Sequence, residues 1–262
     1  MSGLAEHLRA VTIADVDQAP PPTARLGRYG VWQVRDYFRG VGGATLVLSG
    51  LAIVMLTLAD LPGSRHGPAA QASVSALLGV LGFVGPIFAA SGLVADDRGK
   101  GYYRFLLAKP VSPVRFYAQA FALRGAAFLG ITAAVWCAGA ILFGAGSFIG
   151  TMSYAALCFL MIGGVSFLLS TLTRHAWLGT LLLAGVASIA SSYPKSTGGW
   201  RLVLHALYAV LPPFHQATSL AGAFMEAVGA PHLIGTIAWF GGYGVLAIAA
   251  ALTVIRGREW PL

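Results

Sequence analysis

Six stretches of about twenty apolar residues, with one charge at most in any of them, recur along this chain, and that is the length a helix needs to cross the hydrocarbon of a bilayer. No water is present there to satisfy the backbone, so each segment must close its hydrogen bonds within itself. The pattern predicts an all-α integral membrane protein. The predicted spans are 41–59, 72–94, 117–142 with Arg124 near its start, 151–172, a short 176–192, and 233–255. Composition agrees, because a chain of 262 residues that is 57% hydrophobic and only 10% charged lacks the polar surface a water-soluble domain would need. The first span begins near Gly42, too late for a secretory leader and long enough to be retained.

The net charge of +8 would suit nucleic acid only if it formed one basic face on a soluble domain. Here it is spread between apolar runs, which makes it a topology signal and argues for no nucleic-acid partner. With six crossings, all of the 17 Lys and Arg residues except Arg65, Lys195 and Arg201 fall on one side. The positive-inside bias makes that side cytoplasmic, with both termini there and the chain in the plasma (inner) membrane.

Residues 1–23 are polar, end in Pro20, Pro21 and Pro22, and read as a mobile tail before a single transmembrane domain over 24–262. From Thr23 the pattern turns amphipathic. Arg25, Arg28, Arg35 and Arg39 fall within an arc of roughly 80° on a helical wheel, with Trp32 on the same side at a headgroup-compatible position. A helix lying in contact with membrane lipid at the cytoplasmic interface is expected. Before the last span, residues 202–211 are apolar but too short to cross, and Pro212 and Pro213 stop them, so this segment is re-entrant or interfacial. The glycines of 143–150 predict a tight turn between the third and fourth spans. Ala126 with Gly130 and Ala238 with Gly242 are candidate close helix contacts.

The longest charged region between spans is 96–119, DDRGKGYYRFLLAKPVSPVRFYAQ. Asp96 and Asp97 suit the start of a short helix, Tyr102, Tyr103, Phe105, Leu106 and Leu107 form an apolar knob, and Pro110 with Pro113 ends it. Such a knob either anchors the loop at the headgroups or is received by another protein.

This stretch resembles the type-2 ATP-binding-cassette (ABC) permeases, in which an acidic residue, a Gly, a Leu-Leu pair and Pro-Val-Ser follow the second span and an aromatic enters the third. The matching residues are Asp96-Asp97, Gly99 or Gly101, Leu106-Leu107, Pro110-Val111-Ser112 and Phe116-Tyr117. Pro113 and Gln119-Ala120 depart from the Arg and Gly-Lys that the family often carries. The resemblance implies a permease domain whose 96–113 loop is a coupling helix seated on a separate cytoplasmic ABC ATPase, with Arg174 in a smaller second contact. It implies a dimer with a second copy or a sister permease, alternating access, and export as the direction. ATP and Mg would belong to the partner ATPase, since the Walker pattern GxxxxGK[ST] is missing here; no cofactor is expected in this chain. An outer-side accessory protein would be the partner if the fold transmits force instead of moving cargo.

Other classes find less. An ion-coupled carrier needs an ionisable group near mid-bilayer, and the spans hold no central carboxylate, while Arg124 sits close enough to the surface to snorkel. A membrane-embedded enzyme would show GxSxG, HExxH or a pair of intramembrane aspartates, none of which occurs, so no catalytic or metal-ligating residue is assigned. His66, His205, His215 and His232 are expected on the outer side as bystanders, and Cys137 and Cys158 as buried small hydrophobes.

Overall fold

A computed structural model describes residues 22–59, 68–99, 112–144, 146–192, 199–225 and 233–257. Among these residues the protein is all helix, without a strand. α1 (Pro22–Arg39) runs through Gly40 into α2 (Val41–Ala59); α3 (Pro68–Ser91) is followed by a one-turn helix, α4 (Ala95–Gly99). α5 (Pro113–Phe143) and α6 (Phe148–Leu172) come next, α6 passing through a π-helical turn at Phe159–Gly163. α7 (Ala176–Ala190), α8 (Gly199–Val210), α9 (Ala217–Met225) and α10 (Leu233–Gly257) complete the order.

Among the described residues, five helical segments are long and apolar enough to cross a membrane: Val41–Leu58, Ala69–Gly99, Pro113–Phe143, Phe148–Leu172 and Leu233–Gly257. The expected fifth of six, α7, is a 15-residue helix and so spans only about 22 Å, less than the hydrocarbon thickness. The extended backbone of Thr173 ends α6, and α7 starts just beyond it at Ala176.

The helix ends follow local chemistry. Pro113 occupies the first turn of α5, where no backbone N–H is missed. Gly144, at φ 72°, closes the same helix in the left-handed conformation that glycine adopts without a Cβ penalty. Ser147 then caps α6 by accepting a bond from the Gly150 N–H at 3.1 Å. The glycine-rich turn predicted over 143–150 is therefore present, confined to 144–147.

The core lies between α3, α5, α6 and α10. Phe121 sits 4.8 Å from Phe159 and 5.2 Å from Phe167, while Phe128, Ile131, Met161 and Phe240 are fully buried. α6 and α10 approach until their backbones touch: a Cβ on Gly244 would stand 2.5 Å from the Leu160 carbonyl oxygen. Gly241 faces Leu157 and Leu160, Gly244 faces Leu160 and Met161, and Gly164 faces Ile248, so the two helices run parallel. This seam replaces the predicted contacts, because Ala126, Gly130, Ala238 and Gly242 all lie on exposed faces. Helical spacing alone does not say which side of a helix turns inward. Of the cysteines, Cys158 is buried as expected and Cys137 is exposed.

α8 and α9 form a helical hairpin whose turn, at Pro212, Pro213 and Phe214, is buried while α8 itself is not. The Tyr243 hydroxyl, midway along α10, donates to the Val210 carbonyl at the end of α8. Phe214, in a 3-10 turn after Pro212 and Pro213, packs edge-on to Phe83 of α3. α9 then runs back until Phe224 and Met225 meet Gly150 and Gly146 beside the 144–147 turn.

Candidate functional site

The end of the bundle opposite that turn gathers residues from four separate parts of the chain. α1 ends there, α3 gives way to α4, the first turns of α5 pass through, and the 173–175 connection joins α6 to α7. A cleft of about 500 Å³ between them is lined by Asp36, Arg39, Asp96, Arg124, Arg174, Phe88 and Trp177, among others. Arg39, Asp96 and Arg174 were singled out from sequence, and the fold brings them together.

Arg124 is the hub. It is part-buried on α5, and its Nη1 donates to the Ala89 carbonyl at 3.0 Å, near the end of α3. Its guanidinium lies 6.0 Å from the centre of the Tyr37 ring on α1, and the carboxylates of Asp36, Asp96 and Asp97 act on it electrostatically. A part-buried guanidinium needs such company, since an unpaired charge away from water is costly. Arg124, expected close enough to the surface to snorkel, directs its guanidinium into the junction at the end of the bundle.

α4 is fastened on the other side too. Arg98 Nη1 donates to the Thr171 carbonyl at 3.3 Å, tying α4 to the end of α6, and Asp97 lies within electrostatic reach of Tyr117 on α5. Leu93, Val94 and Ala95, which join α3 to α4, are buried. Phe88 and Trp177 stack at 6.3 Å and close the side of the cleft where α3 meets α7.

α1 is amphipathic in the predicted sense. Gly30, Gln33 and Tyr37 form its inward line against α5, where Gly30 meets Gln119 and Leu123, while Trp32, Arg35 and Arg39 are exposed. Arg25 and Arg28 sit on its first turns, and their side chains lie outside the described part. Burial pushes the Tyr37 hydroxyl up to about 12 from its ordinary 10.0, with Arg124 pulling the other way.

Gly101, Tyr102, Tyr103, Phe105, Leu106, Leu107 and Pro110 lie outside the described residues. Asp96 and Asp97 occupy the first turn of α4, as read from the sequence. Asp36, Tyr37, Phe88 and Trp177 were not anticipated. Two signals pointed to this junction: Arg124 is the one charge in an otherwise apolar run, and Asp36 is an acid within a basic helix. Among the described residues, no three His, Cys, Asp or Glu side chains come together as a metal group would require. His215 lies half-buried at the turn of the hairpin, its Nε2 3.2 Å from the Tyr208 hydroxyl.

The architecture defines a multi-pass, all-helical membrane protein with a charged junction at one end. No protein-family model matches the chain, and neither does any curated protein or solved structure.

Proposed function

We propose that this chain is the transmembrane permease subunit of an ABC transporter, an exporter driven by a separate cytoplasmic ATPase through the segment 96–113. The observation that carries the reading is the junction itself. The first turn of that segment, α4, is held to α6 through Arg98 and sits against Arg124, which also grips α1 and α3. A push on 96–113 would therefore reach four helices at once, which is what a rocking, alternating-access motion requires.

In this reading the junction faces the cytoplasm, where most Lys and Arg would lie, and both termini are on that side of the plasma membrane. α1 lies in the interface as an amphipathic helix. The short α7 makes the fifth of six crossings, supported by the α8–α9 hairpin acting as a re-entrant segment. Two copies, or this chain and a sister permease, line the path between them. ATP and Mg bind on the ATPase, and Tyr102, Tyr103, Phe105, Leu106 and Leu107 fill a groove on it.

The test is assembly in native membranes. A vanadate-sensitive ATPase should co-purify with the chain, and replacing Tyr102, Phe105 and Leu106 together by Ser should release it while leaving the helical content intact. Retention of the ATPase by that variant, or labelling of Arg104→Cys from the outer surface, would overturn the coupling assignment.

A further inference from the structure

The charged cleft lies where the apolar helices reach the end of the bundle. Gly40 and Val41 open α2, Ser91 closes α3, and Trp177 stands in the first turn of α7, so three helix ends form its walls. An indole at such an end belongs at headgroup level, and the exposed Trp177 marks that level here. The volume of about 500 Å³ falls within the range of roughly 300–1,000 Å³ that takes a small molecule.

The lining has a charged part and an apolar part. Arg39, Arg124 and Arg174 stand against Asp36 and Asp96, which leaves the cleft one positive charge in excess. Arg124 is met from within the fold by the Ala89 carbonyl, the Tyr37 ring and the nearby carboxylates. Arg39 and Arg174 are exposed, and they reach the cleft from two distant parts of the chain, the last residue of α1 and the 173–175 connection. An anion in the cleft would balance the excess and receive charge-assisted bonds from both.

The apolar part continues out of the cleft along two helices. Val80, Val84 and Phe88 stand at i, i+4 and i+8 of α3, a line of about 12 Å, with Val80 and Phe88 exposed and Val84 half-buried. Trp177 and Leu181, one turn apart on α7 and both exposed, start beside that line at the Phe88–Trp177 stack. α3 ends at the cleft and α7 begins there, so both lines lead away from the charges and along the span. A ligand fitted to the whole surface is an anion with a long apolar tail.

We propose that the cleft binds one anionic phospholipid, its phosphate held by Arg39 and Arg174 and an acyl chain laid along Val80, Val84 and Phe88. This goes beyond the general contact with lipid expected of an amphipathic α1, because it fixes one headgroup at one place. It needs only that these helices lie in a membrane and is independent of the transport reading above. Bound there, the lipid joins the end of α1 to the connection between α6 and α7.

Native mass spectrometry of the purified full chain in detergent tests it, with dioleoyl phosphatidylglycerol or dioleoyl phosphatidylcholine added. One phosphatidylglycerol per chain should bind at least about tenfold more tightly than phosphatidylcholine, and Arg39→Gln combined with Arg174→Gln should remove that preference. Arg201→Gln, which deletes an equal charge on α8, should keep it. Ser91→Trp, which fills the cleft without touching a charge, should weaken phosphatidylglycerol severalfold. Equal affinity for the two lipids, a preference that survives the double arginine variant, or the same loss from Arg201→Gln would overturn the site. So would normal binding by Ser91→Trp, since that is what diffuse attraction to a basic surface gives. If the double arginine variant fails to fold, the comparison of the two lipids on the unaltered chain and Ser91→Trp still decide. Inorganic phosphate in large excess should leave the bound lipid in place; displacement by phosphate would make this a site for a free anion and remove the lipid assignment.

Discussion

The α6–α10 seam and the charged junction at the end of the bundle hold helices together by opposite means. At the seam, Gly164 and Gly244 let two backbones touch, with no room for even one added carbon. At the junction, one arginine spans gaps between α1, α3, α4 and α5 with a flexible side chain, a carbonyl contact at 3.0 Å and surrounding carboxylates. Close backbone contact permits one arrangement. A long charged side chain beside several partners permits more than one, so the seam suits a fixed pivot and the junction suits the place where motion enters.

Gly244→Leu would break the comparison most severely. Its first side-chain carbon alone would stand 2.5 Å from the Leu160 oxygen, and backbone cannot yield as a side chain tip can. The expected loss is about 3 kcal/mol or more, read as a large drop in the thermal unfolding temperature of the purified protein. Gly242→Leu, on an open face, should change it little. Equal losses at the two positions would show that the seam is not special.

Arg124→Met tests the junction and should cost less, about 1–2 kcal/mol, because the lost charge-assisted bond to Ala89 is partly offset by relief from burying a cation. Its larger effect should be functional. With the ATPase present, nucleotide hydrolysis should persist while its dependence on the permease falls, and Arg124→Lys should restore only part of it, since an ammonium cannot match the planar guanidinium's several donors and ring contact. If Arg124→Met leaves the dependence unchanged, the junction is structural only.

The spans were legible because bilayer thickness sets a length that hydropathy reveals, and the 144–147 turn because glycine and serine carry specific end chemistry. The hairpin of α8 and α9 was foreshadowed by the shortness of the 202–211 segment and by Pro212 and Pro213. The inward side of each helix was not legible. Apolar residues surround α5, α6 and α10, so no amphipathic stripe says that Gly244 meets α6 while Gly242 faces away. Arg124 was visible as an isolated charge, but its partners Tyr37, Ala89 and Asp96 are dispersed in sequence and meet only through tertiary packing.

Tyr37 gives the finest test of the contrast, because it belongs to the junction yet is as buried as a core residue, at 4% exposure. Its hydroxyl is pushed up to about 12 in the folded protein against an ordinary 10.0, so between those values the folded state keeps a proton that the unfolded chain has released. This contribution to stability is complete below pH 10 and is lost as pH rises toward 12. Tyr37→Phe removes the titration while keeping the ring against Arg124. Stability followed from pH 9 to pH 12 should therefore fall less steeply in Tyr37→Phe than in the parent, with little difference at neutral pH. Parallel curves would mean that α1 already lifts away from α5 in alkali and exposes the hydroxyl, making the junction looser still than its arginine requires.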